Sequence, residues 1–322
     1  MTSPEERQPV EVVVTGMALI SALGSAFNDE LAAVAARLDA GEVGLVEHPP
    51  LGALPGGGRA GVVAQLDLDR FLVRRKDKKL LARPSALAVA AAGPLVAAWP
   101  GPRDELGLFL GVGREPPDDG ESEATLALSA ADGQLDERLL SGPGRDRYPP
   151  LLPLKTLPNM APAHISINLG LMGENAALAG VSGASMAAMR AGVRAVAEGR
   201  APAALVGGAD ARVDLGSARD RLRVGEPGAP GEGAALLLIE PRAAAEARGA
   251  KIYGVVEVLD MDTSAEAPEL GAALRPLLGA LGAAEAAAAV VWCLAAGRAA
   301  SLGAADPGLP PMGLAVRPAG AC

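Results

Sequence analysis

The chain has 322 residues, half of them hydrophobic but only 2% aromatic, and a formal charge of −9 at neutral pH. A chain of this length buries a large core, here built mainly of Ala, Val and Leu. The acidic balance, with no basic stripe interleaved with aromatics, excludes a nucleic-acid interface. Two distant cysteines, Cys293 and Cys322, make no disulfide framework, which points to a reducing cytoplasmic setting. The opening MTSPEERQPVE is polar and acidic, unlike a signal peptide. The longest apolar runs carry Gly93-Pro94 or Glu285, so none reads as a membrane span.

Taken in order, Val10 to Met17 is a β-branched run that predicts a buried strand ending at a glycine turn. Ser21 to Gly24 closes that turn, and Asn28 or Asp29 caps a helix to about Leu38. Pro49 to Gly61 is a Gly/Pro loop with a formal G-x-G-x-x-G at Gly56, Gly58 and Gly61. A dinucleotide site would need a strand before it and a helix after it, and the flanks offer neither. No cofactor is expected.

Arg74, Arg75, Lys76, Lys78 and Lys79 form the one basic run, leading into a helix from Pro84 to about Trp99. It reads as a solvated face, or as a landing site that steers an acidic partner. Leu106 to Gly113 predicts a second buried strand. Residues 114 to 150 are acidic and then Gly/Pro-rich, with one helical stretch near Ser122 to Leu140. Asp118, Asp119, Glu121 and Glu123 lack the alternating ligand spacing of a cation loop, so no metal site is expected. A helix comes next, from Pro158 to Leu169, with His164 inside it. His48 sits in the Pro loop without a visible partner.

Residues 173 to 210 hold the densest pattern. An apolar strand (Asn175 to Ala179) meets the turn Gly180-Val181-Ser182-Gly183. A helix then runs from Ala184 to Glu198, and an apolar run from Ala203 ends at Gly207-Gly208. Strand, sharp turn, helix lifts Ser182 to a helix N-terminus, where free amides can support developing negative charge. On spacing alone this also describes an ordinary βαβ unit, because G-x-S-G-A is not the full nucleophile elbow. Farther on come Gly231-Glu232-Gly233-Ala234, a strand to Glu240, and Ala247-Arg248-Gly249-Ala250. The remainder reads as a strand (Ile252 to Leu259), a helix (Pro268 to Leu281), a strand (Ala287 to Leu294) and a Gly/Pro-rich end.

Together these segments resemble the β-ketoacyl synthases, the condensing enzymes of fatty-acid and polyketide synthesis. The opening V-V-V-T-G is Val12 to Gly16, followed by Ser21-Ala22-Leu23-Gly24 and Ala40-Gly41-Glu42-Val43-Gly44. Pro158-Asn159-Met160 matches the helix before the nucleophile strand, and Gly207-Gly208-Ala209 matches the strand after it. Gly231 to Ala234 and Ala247 to Ala250 match the close of the first half. The resemblance places Ser182 where the family carries its reactive Cys. It implies a thiolase-like fold in α/β/α/β/α layers, with a ketosynthase N-terminal-type half at 1–251 and a truncated C-terminal-type half at 252–322.

The resemblance also implies losses. Residues 295–303 run like the family's A-H-G-T-G-T-P-L-G loop, with Ala296 where the first catalytic His belongs. The loop for the second His has no counterpart. A hydroxyl without a base is a poor nucleophile. The implied function is therefore a pseudoenzyme somewhat like a chain-length factor, acting by binding. Its partners would be a full-length ketosynthase, or a second copy of itself, and an acyl carrier protein docked on the basic run. The alternative is a Ser182-dependent acyltransferase or thioester hydrolase. The fold further implies a dimer through the edge strand at Asn175, Ala177 and Ala179, with Met160, Ile165 and Ile167 adding apolar surface.

Overall fold

A computed structural model describes residues 10–52, 54, 58–113, 122–226, 228–306 and 310–320. Its centre is a nine-stranded mixed sheet. The strands are β1 (Val12–Ser21), β2 (Gly24–Phe27), β3 (Gly107–Val112), β4 (Asn175–Ala179), β5 (Ala204–Ala211), β6 (Glu232–Pro241), β7 (Gly254–Val258), β8 (Ala300–Ala304) and β9 (Met312–Pro318). Their order is β8-β9-β7-β1-β6-β5-β3-β4, with β2 hydrogen-bonded to β1. The pairs β3–β4 and β3–β5 are parallel. The pairs β1–β6, β5–β6, β1–β7, β7–β9 and β8–β9 are antiparallel.

Alternation along the strands divides the core in two. On one face Leu108, Leu110, Leu205, Leu236 and Leu238 pack under Leu87, Val89, Leu95 and Ile165. The last four come from α2 (Arg83–Ala98) and α3 (Met160–Leu169), which lie against each other. On the other face Phe109, Val206, Leu237 and Ile239 meet Met186, Met189 and Val193 of α4 (Ala184–Ala197) and Val290 and Val291 of α5 (Glu285–Ala295). Gly111 permits this close approach, since a Cβ there would lie 2.3 Å from the Ser185 amide nitrogen. Helix α1 (Leu31–Asp39) packs beside α5.

Helix α5 buries nine of its eleven residues and α4 ten of fourteen, so both are covered on more than one side. The second cover comes from the later strands. Val256, Leu302, Leu314 and Val316 of β7, β8 and β9 face the same core. The sheet thus wraps the two central helices in a layered mixed α/β architecture.

Several expectations for the second half need correction. The run Ala287 to Leu294 is helix, within α5, rather than strand. A short apolar run fits either state until its length and ends are settled. The helix expected over Pro268 to Leu281 is reduced to turns at Leu270–Leu274 and Arg275–Leu278, ended by Gly279 at φ +80°. The Gly/Pro-rich end, for which the sequence gives no element, forms the β8–β9 pair. Upstream, the stretch Ser122 to Leu140 holds a short helix (Glu123–Leu128), a two-residue hairpin and a single turn. Asp118, Asp119, Glu121, Gly56 and Cys322 lie outside the described residues. Residues 62–68 form no helix, so the glycines at 58 and 61 lead into nothing that could cap a dinucleotide phosphate.

No described helix is long and apolar enough to cross a membrane. Among the described residues no cluster of His, Cys, Asp and Glu could hold a metal ion. Cys293 is buried, and burial pushes its thiol pKa up.

Candidate active site

Strand β4 runs parallel to β3 and ends where the Gly180 amide donates to the Val112 carbonyl at 3.1 Å. The chain then turns through Val181, Ser182 and Gly183 into α4, as the sequence predicts. Ser182 is partly exposed, and its hydroxyl donates to the carbonyl oxygen of Ala305 at 3.4 Å. The residue after Ala305 dominates the turn. Asp306 Oδ2 accepts the Val181 amide at 2.9 Å, and Oδ1 accepts the Gly183 amide at 2.8 Å. A Cβ on Gly180 would come within 2.2 Å of Asp306 Oδ2, so a side chain there would have to displace this carboxylate.

Behind the turn, the start of α4 is stitched to the start of α5. Ser185 Oγ accepts the Ala287 amide at 3.1 Å. Asp210, at the end of β5, accepts its neighbour Ala211's amide at 2.8 Å and the Ala283 amide at 3.0 Å. Burial drives the Asp210 pKa upward, to about 6, against the lowering pull of those amides and of Arg212. Ser185 supplies an acceptor that the first turn of α5 lacks within its own helix, and Asp210 does the same for the 3-10 turn Gly282–Ala284 just before it.

Neither histidine meets Ser182. His48 Nε2 lies 3.1 Å from the Val213 carbonyl. His164 is buried in α3, where desolvation pushes its pKa down and Nε2 has no partner. Ala296 terminates α5, its amide bonded to the Trp292 carbonyl, so it comes after a helix rather than the expected strand.

All five members of the basic run are exposed. Arg74 precedes a six-residue 3-10 helix, Arg75–Leu80, that carries the other four. Arg74 pairs with Asp77 at 3.1 Å and Lys78 with Asp69 at 3.0 Å, which leaves Arg75, Lys76 and Lys79 without an ion pair among the described residues. Strand β4 is the sheet edge. Asn175 and Ala179 are exposed there, while Ala177 is half-buried and packs inward. Ile167 is 64% exposed beside it, but Ile165 is fully buried and adds no outer surface.

Asp306, Asp210 and Ser185 do not stand out in the sequence. The last residue of G-G-A-D is a usable sign for Asp210, because a carboxylate closing a buried strand demands partners. Asp306 lies 123 residues from Gly183 and carries no such sign.

Residues 78–225 match the family model of the beta-ketoacyl synthase N-terminal domain, a span that contains β3, β4, the Ser182 turn, α4 and β5. That segment is similar to the N-terminal domain of the β-ketoacyl synthases. No curated protein matches this chain in sequence. Its fold is similar to solved structures over 96% of its length. A structure of a type II polyketide synthase acyl-carrier protein in complex with its ketosynthase bound to the hexaketide aligns at 14% identity and TM-score 0.72, over 99% of that chain. The ishigamide ketosynthase/chain length factor aligns at 18% and 0.72, again over 99% of that chain. A beta-ketoacyl synthase from Burkholderia phymatum STM815 aligns at 15% and 0.70, over 99% of that chain.

Proposed function

We propose that this ketosynthase-type chain is a subunit of fatty-acid or polyketide assembly that acts by binding and does not condense. The observation that carries the reading is the setting of Ser182. Its hydroxyl faces a backbone carbonyl, while His48 lies against the Val213 carbonyl and His164 is buried in α3. A serine without a base does not hold an acyl chain as a thiolate does, and loss of members of a catalytic unit leaves little activity.

The partners are read from surfaces. The open edge of β4 offers a strand for pairing with a full-length ketosynthase or a second copy, and proteins cover such edges. The exposed cations Arg74, Arg75, Lys76, Lys78 and Lys79 suit an acidic acyl carrier protein. Similarity to a ketosynthase/chain length factor and to a ketosynthase with its carrier protein supports both. A cytoplasmic setting and the division at residue 251 belong to the same reading.

The test combines mass spectrometry with binding. Incubation with acyl thioesters is expected to leave the intact mass unchanged, and Ser182→Ala to bind a candidate ketosynthase within about twofold of the unmodified chain. Ser182→Cys is expected to leave malonyl decarboxylation absent. An acyl adduct on Ser182 would overturn the binding reading in favour of an acyltransferase or thioester hydrolase.

A further inference from the structure

The amides of Val181 and Gly183 flank the nucleophile position and open a helix of fourteen residues. At such a site a helix N-terminus stabilises nearby negative charge and lowers the pKa of a thiol placed on it. Amides about 2.7–3.1 Å from a reacting oxygen are what an acyl-transfer site needs to stabilise an oxyanion. In this chain both amides meet an oxygen at that distance, 2.9 and 2.8 Å, but the oxygens belong to Asp306. The carbonyl of the preceding residue, Ala305, holds the Ser182 hydroxyl.

We infer that Asp306 is an autoinhibitory plug: its carboxylate occupies the anion-stabilising amides beside position 182 and closes that position to acyl chemistry. The inference rests on the reading of Ser182 as the nucleophile position. Charge-assisted bonds from two amides hold the carboxylate firmly. Its negative charge opposes the helix terminus and repels any alkoxide or thiolate formed alongside. Gly180 leaves the room the carboxylate needs, so turn and plug are fitted to each other. The missing imidazoles and the plug are then separate blocks, and restoring a thiol alone lifts neither.

The plug is tested by the reactivity of a thiol at the same place. In Ser182→Cys, iodoacetamide alkylation is followed against pH, with the unsubstituted chain giving the background from Cys293 and Cys322. A plugged turn yields a midpoint at or above about 8, close to or above that of a free thiol, where an open helix N-terminus gives a lower one. Ser182→Cys with Asp306→Asn is expected to titrate at least one unit lower and to alkylate at least about threefold faster at pH 7.5. A midpoint below about 8 in the single variant overturns the plug, and this holds even if the double variant fails to fold. An unchanged midpoint in a folded double variant overturns it as well. The binding proposal fails by other measurements, an acyl adduct on Ser182 or the absence of a complex, so the two outcomes separate.

Discussion

Arg190 of α4 donates through Nη1 to the carbonyl oxygen of Gly313 in β9 at 2.9 Å, and to that of Leu259 at the same distance. Its side chain is buried, and desolvation pushes the guanidinium pKa down. The contact ties a central helix of the family-matched segment to the last strand of the chain. Arg190→Met leaves those carbonyls to find new donors and is expected to cost about 2–4 kcal/mol. Urea unfolding measures the loss, and hydrogen exchange is expected to show β8 and β9 losing protection first. Uniform loss across the sheet would argue against this local coupling.

Asp210 makes stability depend on pH in an identifiable direction. Its folded pKa of about 6 stands above the ordinary carboxylate value of 3.8, so the folded state holds this proton more tightly than the unfolded chain does. The favourable contribution is complete below about pH 4 and is lost as pH rises through about 6. The stability difference between the unsubstituted chain and Asp210→Ala is therefore expected to shrink by up to about 3 kcal/mol from pH 4 to pH 7. A difference independent of pH would show that burial does not raise this carboxyl.

Glu232 in the G-E-G-A segment is 1% exposed and receives Arg83 through Nε at 2.8 Å and Nη2 at 2.6 Å, with the Val63 amide as a further donor at 2.8 Å. Removing one partner of such a pair strands a buried charge. Arg83→Met is expected to destabilise by about 3 kcal/mol in urea titration, whereas Arg37→Met, at the exposed Arg37–Glu42 pair, is expected to cost far less. Equal effects at the two sites would refute the role of burial.

The edge of β4 predicts assembly. Ile167 is 64% exposed and Met172 is 76% exposed beside that strand. Ile167→Asp with Met172→Asp is expected to break the proposed dimer while shifting the unfolding midpoint little, because exposed positions tolerate exchange. Ala177→Lys breaks it too, at a larger cost to the fold, since that methyl packs inward. An interface of this kind buries above about 1,000 Å². Sedimentation that shows only monomer at high micromolar concentration, with or without a candidate ketosynthase, would end this proposal.

The strand–turn–helix at residues 175–197, the position of Ser182 on its turn and the exposure of the basic run were all legible in the sequence. Each depends on neighbours within a few residues: apolar period, a helix-favouring Ala run, glycines where the chain must turn. The motifs of the first half also indicated the layered family fold, because their order along the chain carries information that no single motif does. The tertiary structure alone decided the rest. Residues 287–294 have a composition that suits strand or helix, and they become helix where Asp210 and Ser185 supply acceptors to Ala283 and Ala287. The final segment reads only as Gly/Pro-rich in isolation, yet it forms a strand pair when β7 offers an open edge. Asp306 reaches the Ser182 turn only because that pair returns to the front of α4, across 123 residues of sequence to Gly183. Local pattern sets the conformation of a short segment, whereas a carboxylate's partners are set by where the whole chain brings it.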